Sequence, residues 1–506
     1  MTTRKLLALF LACLTLTGCA SSITTHSPQV TLPPIDYRED APAGDLQGSV
    51  SRRQVFYLLT ADTGDLTPIE DSVRIHPFRW YLDVLAGALL NMETADLISL
   101  PGYGRLSLTG SNPVEVSCGI ATVNLAASAL SLDHESLYTV CQALTNTLCE
   151  NTGLEGVNIL IGNVQPGLDI GGTTPAGTLA LNDAESLITM WNRAESRRAA
   201  VQEGRRFTCD VTLYLPALNG QGILSEKRTL TFDDPAPEAL CLSLISALTQ
   251  DTALQSALPL PDMDRLLAAA PVITESAGEK LLSISLMPGI HASLNDMGIP
   301  LNLFAASLVY TATTFVPGLT GVRIDIGSEP LTRLPLRESD PEEEITFSNG
   351  ILRRAAFSRF LYDEMTLYMV RGDSLSPVRR AVPWYESRNP RYAFDELVKG
   401  SLSGDSRYPL GDPLPQNSSG GDLLGLGVSD DGTALKMDLS SHFIDLCGEE
   451  SIREQVLAVY SVINSLIDTT GIRKAVIFID GAQFDSLPAL DIRGTFLKNE
   501  DILTDP

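Results

Sequence analysis

Thiols are the most reactive side chains in this sequence. Of eight cysteines, Cys13 lies inside an apolar leader and Cys19 closes it, leaving Cys118, Cys141, Cys149, Cys209, Cys241 and Cys447. No two form a CxxC pair, whereas zinc needs ligand pairs at metal spacing. Cys141 and Cys149 stand eight residues apart in a helical pattern. That is about 12 Å of rise, too far for a mutual disulfide. These cysteines read as small core residues with free thiols. The five histidines, His26, His76, His134, His291 and His442, share no spacing and read neither as bases nor as metal ligands. The densest carboxylate run, Glu338–Glu344, falls in a connector and reads as solvated. A catalytic carboxylate would be expected inside an otherwise apolar element, and no such element stands out. GxxxxGK[ST], GxSxG and HExxH do not occur, so phosphate-cradling, nucleophile-elbow and zincin chemistry have no motif here. The catalytic, cofactor and metal sets are therefore empty on this reading.

One thiol has a chemistry assigned by its surroundings. Met1-Thr-Thr-Arg-Lys5 is a short basic start and Leu6–Leu16 an apolar core. That core has signal-peptide length and is too short to span a bilayer. Leu16-Thr17-Gly18-Cys19 follows and resembles the bacterial lipoprotein box, with cleavage before Cys19 and acylation of its sulfur. The expected organisation is a leader at 1–18 and a Ser/Thr/Pro-rich flexible tether at 19–50. Stable anchoring takes more than one acyl chain.

The elements behind this tether repeat. Gly153-Leu-Glu-Gly-Val-Asn-Ile-Leu-Ile-Gly162 and Gly318-Leu-Thr-Gly-Val-Arg-Ile-Asp-Ile-Gly327 match at both glycine pairs and at alternate apolar positions. Gly471 with Ala475-Val-Ile-Phe-Ile479 gives a third copy. Each run is a short β-branched strand. Each follows a helical pattern, His134–Asn151, Pro300–Phe315 and Ser451–Thr469, whose apolar residues recur at i, i+3/i+4. A hairpin precedes each helix; the third turns at Asp430-Asp431-Gly432, where glycine supplies the positive φ. Further upstream, Gln54–Leu59, Val211–Leu215 and Met365–Met369 open each copy, followed by a second strand and a first helix (Phe78–Met92, Pro237–Thr249, Tyr392–Lys399). The period is that of whole domains, too long for a solenoid. We expect an α+β protein of three tandem domains in ββ-αββαβ order, each a small sheet with two helices on one face. The boundaries fall at 51–182, 183–350 (with a connector helix over Asp183–Val201) and 351–506. The domains are expected to touch in file. Arg197–Ala200 and Arg353–Ala356, both Arg-Arg-Ala-Ala, read either as joints between domains or as solvated faces.

The formal net charge is −26. Such a chain is repelled by phosphate backbones, so nucleic acid is not an expected partner; excess acid on the surface keeps an exported protein soluble.

The third copy resembles a GerM domain. The matching residues are Leu367-Tyr368, Leu397-Val-Lys-Gly400, Asp431-Gly432, Met437-Asp-Leu-Ser440, Ala458–Leu466 and Val476-Ile-Phe-Ile-Asp-Gly481. The first two copies are divergent relatives of it. The resemblance implies an exported lipoprotein connected with sporulation or spore germination. It also implies a core like the ring-building motif of secretion channels, and no catalytic site. The expected function is a non-enzymatic assembly or scaffold module, held to the membrane by lipid on Cys19 and meeting other envelope proteins or copies of itself. A ligand-sensing binding protein is the alternative, and an envelope hydrolase a third.

Overall fold

Three long helices set the architecture: two are buried all round through their middles, and the third is buried from Gln455 onward except at Val456, Tyr460 and Asp468. The computed structural model describes residues 40–60, 63–93, 97–166, 177–276, 278–337, 340–402, 408–483, 486–487, 490–491 and 494–504. The strands and helices of the first copy are β1 (Val50–Thr60), β2 (Leu66–Ile75), α1 (Leu82–Leu90), β3 (Leu97–Ile98), β4 (Val114–Ser117), β5 (Ile120–Leu125), α2 (His134–Thr152) and β6 (Gly156–Ile161). After α3 (Leu187–Gln202) the second copy supplies β7 (Phe207–Pro216), β8 (Ile223–Phe232), α4 (Pro237–Leu248), β9 (Val272–Ser276) and β10 (Glu279–Leu286). It continues with α5 (Ile290–Met297), α6 (Leu301–Phe315), β11 (Leu319–Ile326) and β12 (Glu329–Pro330). A hairpin of β13 (Arg333–Arg337) and β14 (Asp340–Thr346) leads to the third. That copy holds β15 (Tyr362–Arg371), β16 (Ser374–Pro383), α7 (Pro390–Val398), β17 (Leu423–Val428), β18 (Ala434–Leu439), α8 (Ser441–Glu449), α9 (Ile452–Thr470) and β19 (Lys474–Ile479). The fold is mixed α+β, and the ββ-αββαβ order recurs three times. The sequence pattern did not indicate α5, α8 or the β13–β14 hairpin; the last occupies part of the acidic connector.

Each copy has the same two-part construction. A hairpin and a later strand form one sheet, β4-β5-β6, β9-β10-β11 or β17-β18-β19, with the last pair parallel because a helix carries the chain back. The opening strands form a separate antiparallel sheet: β1-β2, which β3 joins at the end of β1, β7-β8 and β15-β16. The long helix lies between the two parts. Leu137 to Cys149 of α2 and Asn302 to Phe315 of α6 are buried without exception. An amphipathic pattern accounts for one face of each helix. The other face is polar but still buried, and its side chains must find partners. They find the free edge of the opening strand. Tyr57, Tyr214 and Tyr368 donate backbone N–H to the hydroxyls of Thr147, Thr311 and Ser465 at 3.1, 3.0 and 3.0 Å. The same bond thus occurs at the same place in all three copies.

Helix ends follow local rules. Ser451 and Glu454 form a capping box at the start of α9, and Gly471 ends it at φ 68°. Beyond each returning strand a connector residue pairs with it: Leu179 with Val157, Leu352 with Val322 and Phe496 with Ala475.

The copies do not stand in file. First meets second where Asn158 and Thr178 bond Thr212, and where Ser225 bonds Ser117. Second meets third through a bridge between Ile223 and Leu361. Third also returns to first: Cys118 donates its N–H to Asp363 at 2.7 Å, and Trp80 donates to Ser387 at 2.9 Å. Phe78 of the first copy joins the hydrophobic core of the third. The contacts close a triangle because long polar connectors fold back instead of spacing the copies apart. Among the described residues, no helix is long and apolar enough to cross a membrane.

Candidate functional site

The centre of this triangle carries the densest buried chemistry among the described residues. Strand β4 reads Val114-Glu-Val-Ser117, so alternation turns its apolar residues inward and aims Glu115 at the neighbouring copy. The turn over Arg354–Phe360 brings Arg354 to meet it. Arg354 Nη2 donates to Glu115 Oε2 at 2.9 Å and Nη1 to Thr314 Oγ1 at 2.6 Å. The guanidinium lies 3.8 Å from the Tyr310 ring centroid, and the Tyr310 hydroxyl donates to Glu115 Oε1 at 3.2 Å. The ion-paired side chains are only 6% and 10% exposed. Burial, then the Glu115 charge, pushes the Tyr310 phenol well up, so it stays a proton donor. Both carboxylate oxygens and both terminal guanidinium nitrogens have a partner, the condition under which a buried charge pair is tolerated. This places one of the two Arg-Arg-Ala-Ala segments as a joint: Arg353 pairs with Glu279 at 2.8 Å and Arg354 crosses to the first copy. In the other, Arg198 of α3 bonds His134 of α2 at 2.6 Å and Glu195 of its own helix at 3.4 Å.

A second cluster lies close by. Asp363 accepts from the N–H groups of Cys118 and Glu364 and from the Ser387 hydroxyl, at 2.7, 2.9 and 2.7 Å. Burial raises its pKa, against those three bonds. Glu364 is raised for the same reason and bonds Ser256. Cys118 takes φ 42° in the β4–β5 turn, a left-handed conformation rare outside glycine, and this aims its N–H at Asp363. These groups border a cleft of about 420 Å³, with Glu155, Lys227 and Arg379 at its rim. The Cys118 thiol is pushed well up by burial, Glu364 and Asp363. A thiolate is the nucleophilic form, so Cys118 is set up as a neutral thiol and Asp363 as a fastener. No group of three His, Cys, Asp or Glu placed to hold a metal occurs among the described residues.

Glu115, Asp363 and Glu364 escaped the sequence reading. The signal for Glu115 was present: a lone carboxylate between two valines in a strand run is an acidic residue inside an apolar element. Asp363 and Glu364 carry no such mark, because their burial comes from other copies. Cys19 and His26 lie outside the described residues. His76 Nε2 meets the Leu46 carbonyl at 3.1 Å, and His442 meets Asp422 at 2.8 Å. The histidines are not brought together.

Residues 366–485 match the family described as Germane: Sporulation and spore germination. That segment is most of the third copy and well under half of the chain. No curated protein matches the chain. Among solved structures, the tandem GerMN domains of the sporulation protein GerM from Bacillus subtilis match at 14% identity and TM-score 0.23, covering 60% of this chain and 99% of that one. A candidate lipoprotein from Clostridium perfringens matches at 19% identity and TM-score 0.17, covering 26% and 86%. Both scores are too low to carry an argument about this fold.

Proposed function

We propose that this GerM-like domain protein, related to sporulation or germination through residues 366–485, is an envelope lipoprotein that works by holding partners together. Cys19 carries the lipid, the residues between it and Pro42 form the tether, shorter than the expected 19–50 because residues 42–46 lie along β17 and Val50 opens β1, and three domains bounded at 51–182, 183–350 and 351–506 form the body. The observation that carries the reading is where its polar chemistry goes. The positions shared by the copies, such as Tyr368 with Ser465, hold helices to strands. The buried charges, such as Arg354 with Glu115, hold copies to each other. Chemistry used in this way makes a rigid body suited to assembly with other envelope proteins or with itself.

A second reading, a ligand-sensing protein, is favoured by one feature. A cleft of about 860 Å³ opens between the second and third copies, lined by Asn302, Glu343, Arg359, Tyr362 and Tyr385. Pockets for small molecules are of this size.

Deleting the gene and scoring spore yield and germination tests the biological role; unchanged values for both would remove it. Light scattering on the chain from residue 20 tests assembly. Mass above a single chain supports the scaffold, whereas a monomer that gains thermal stability with a small envelope ligand supports the sensor.

A further inference from the structure

Residues 42–46 precede the first copy in sequence yet belong to the third in space. They run along the free edge of β17. Leu46 donates its N–H to the Leu426 carbonyl at 2.8 Å, and Leu426 donates to the Gly44 carbonyl at 3.3 Å. Both bonds converge on one residue, the pattern of a strand added in parallel. A two-point charge pair pins the segment: Arg391 Nε reaches Asp45 Oδ2 at 2.9 Å and Nη2 reaches Oδ1 at 2.6 Å. The same guanidinium donates to the Gly420 carbonyl at 3.3 Å and to that of Leu423, so it is fixed against the entry to β17. Strand β17 is cut to fit. A Cβ at Gly425 would stand 2.6 Å from the Pro42 carbonyl oxygen, and one at Gly427 3.2 Å from the Pro42 side chain. Leu46 packs against the third copy's core. The third copy thus bears a shaped slot for Pro-Ala-Gly-Asp-Leu, closed by a charge pair.

Only Gln47, Gly48 and Ser49 separate this strap from β1, and all three are exposed. A side chain at Gly48 would touch nothing within 4 Å. An exposed joint of three residues, tied to the body only where Arg74 donates to Ser49 Oγ at 3.1 Å and to its carbonyl at 3.5 Å, lets the strap leave its own slot and enter the identical slot of a neighbour. An open strand edge accepts an extended segment by the same backbone bonds whichever chain supplies it. We propose that the β17 edge is a strand-exchange site whose partner is a second copy of this chain, residues 42–46 of each copy filling the slot of the other. The proposal rests on the assembly reading above. In dilute solution the copy's own strap wins by effective concentration; chains crowded on one surface exchange.

Charge reversal tests this. Asp45→Arg sets two guanidinium groups against each other within one chain, and Arg391→Asp sets two carboxylates against each other. Either variant alone expels its own strap. In a mixture of the two, the cationic strap of the first variant suits the anionic slot of the second, and the reciprocal pair is the native one. The expected result is a heterodimer of twice the single-chain mass in the mixture, with each variant alone monomeric by light scattering. The double variant Asp45→Arg/Arg391→Asp recovers a protease-resistant strap as a monomer. A mixture that stays monomeric overturns the exchange. If circular dichroism shows that Arg391→Asp does not fold, a chain lacking Gln47 and Gly48 replaces it. That chain cannot reach its own slot, so dimers support the proposal and monomers overturn it. Self-association of the wild-type chain at high concentration, measured separately, judges the assembly reading on its own.

Discussion

Arg354 is the residue on which the joint between copies turns. Removing one member of a buried ion pair strands the other, at a cost of about 3–5 kcal/mol. Arg354→Met is therefore expected to lower stability by that order, read from the urea midpoint. Glu115→Leu with Arg354→Met together should cost less than Arg354→Met alone, because no charge is left unpaired. If the double variant loses as much as the two single variants combined, the pair does not act as a unit. The cysteines give a second residue-scale expectation. Burial pushes Cys141, Cys209, Cys241 and Cys447 up to about 12 and Cys149 to about 11. All are free. A colorimetric thiol reagent at pH 8 should find these five thiols silent in the folded chain and reactive in denaturant. The burial of Cys141 and Cys149 was legible in the sequence, since they stand on one apolar stripe without metal spacing; that of Cys447 was not, because its helix left no pattern. The role of Glu115 was legible too, in hindsight of its two valines. That of Asp363 was not: nothing local marks a residue whose burial is supplied by Trp80, Cys118 and Ser387 from elsewhere in the chain.

At the scale of elements, periodicity located the long helices and their returning strands to within a residue or two, because a sustained apolar stripe and a capping glycine are local facts. It could not reveal that a hairpin covers the polar face of each helix. Serine and threonine on that face look solvated in sequence, and only the strand edge beside them makes them structural. Thr147→Val, Thr311→Val and Ser465→Ala each leave a buried strand N–H without an acceptor, worth about 1–3 kcal/mol. Hydrogen exchange should quicken first at Tyr57, Tyr214 and Tyr368 respectively. Equal protection at those amides would mean that the bonds do not hold the strands. The strap adds a pH dependence. His76 donates through Nε2 to the Leu46 carbonyl and accepts the Phe78 N–H at Nδ1, so it must be neutral to make both bonds. Burial lowers its pKa, opposed by the bond to Leu46 and assisted by the Arg79 charge. A depressed histidine adds stability that is complete above its unfolded value of about 6.5. That stability is lost as pH falls through the lower folded value, because the unfolded chain binds the proton first. Proteolysis near Gly48 should accelerate on acidification through that window, and His76→Gln should remove the dependence.

For the whole molecule, the anchor decides what the assembled body can do. The three copies meet pairwise, and residues 42–46, which precede the first copy, are fastened along β17 of the third. Cys19→Ala removes the sulfur proposed to carry the lipid and changes no residue of the described body. The expected outcome is transfer of the protein from the membrane fraction to the soluble exported fraction, with an unchanged urea midpoint. If the variant still sediments with membranes after a high-salt wash, attachment lies elsewhere on the chain. The same variant separates anchoring from assembly. Local concentration at a surface drives weak association by mass action, so the released protein should lose self-association in the cell while purified concentrated samples keep it. Chemical cross-linking of the two strains at equal expression measures this directly. Equal yields of cross-linked dimer in both strains would show that the membrane contributes nothing to assembly.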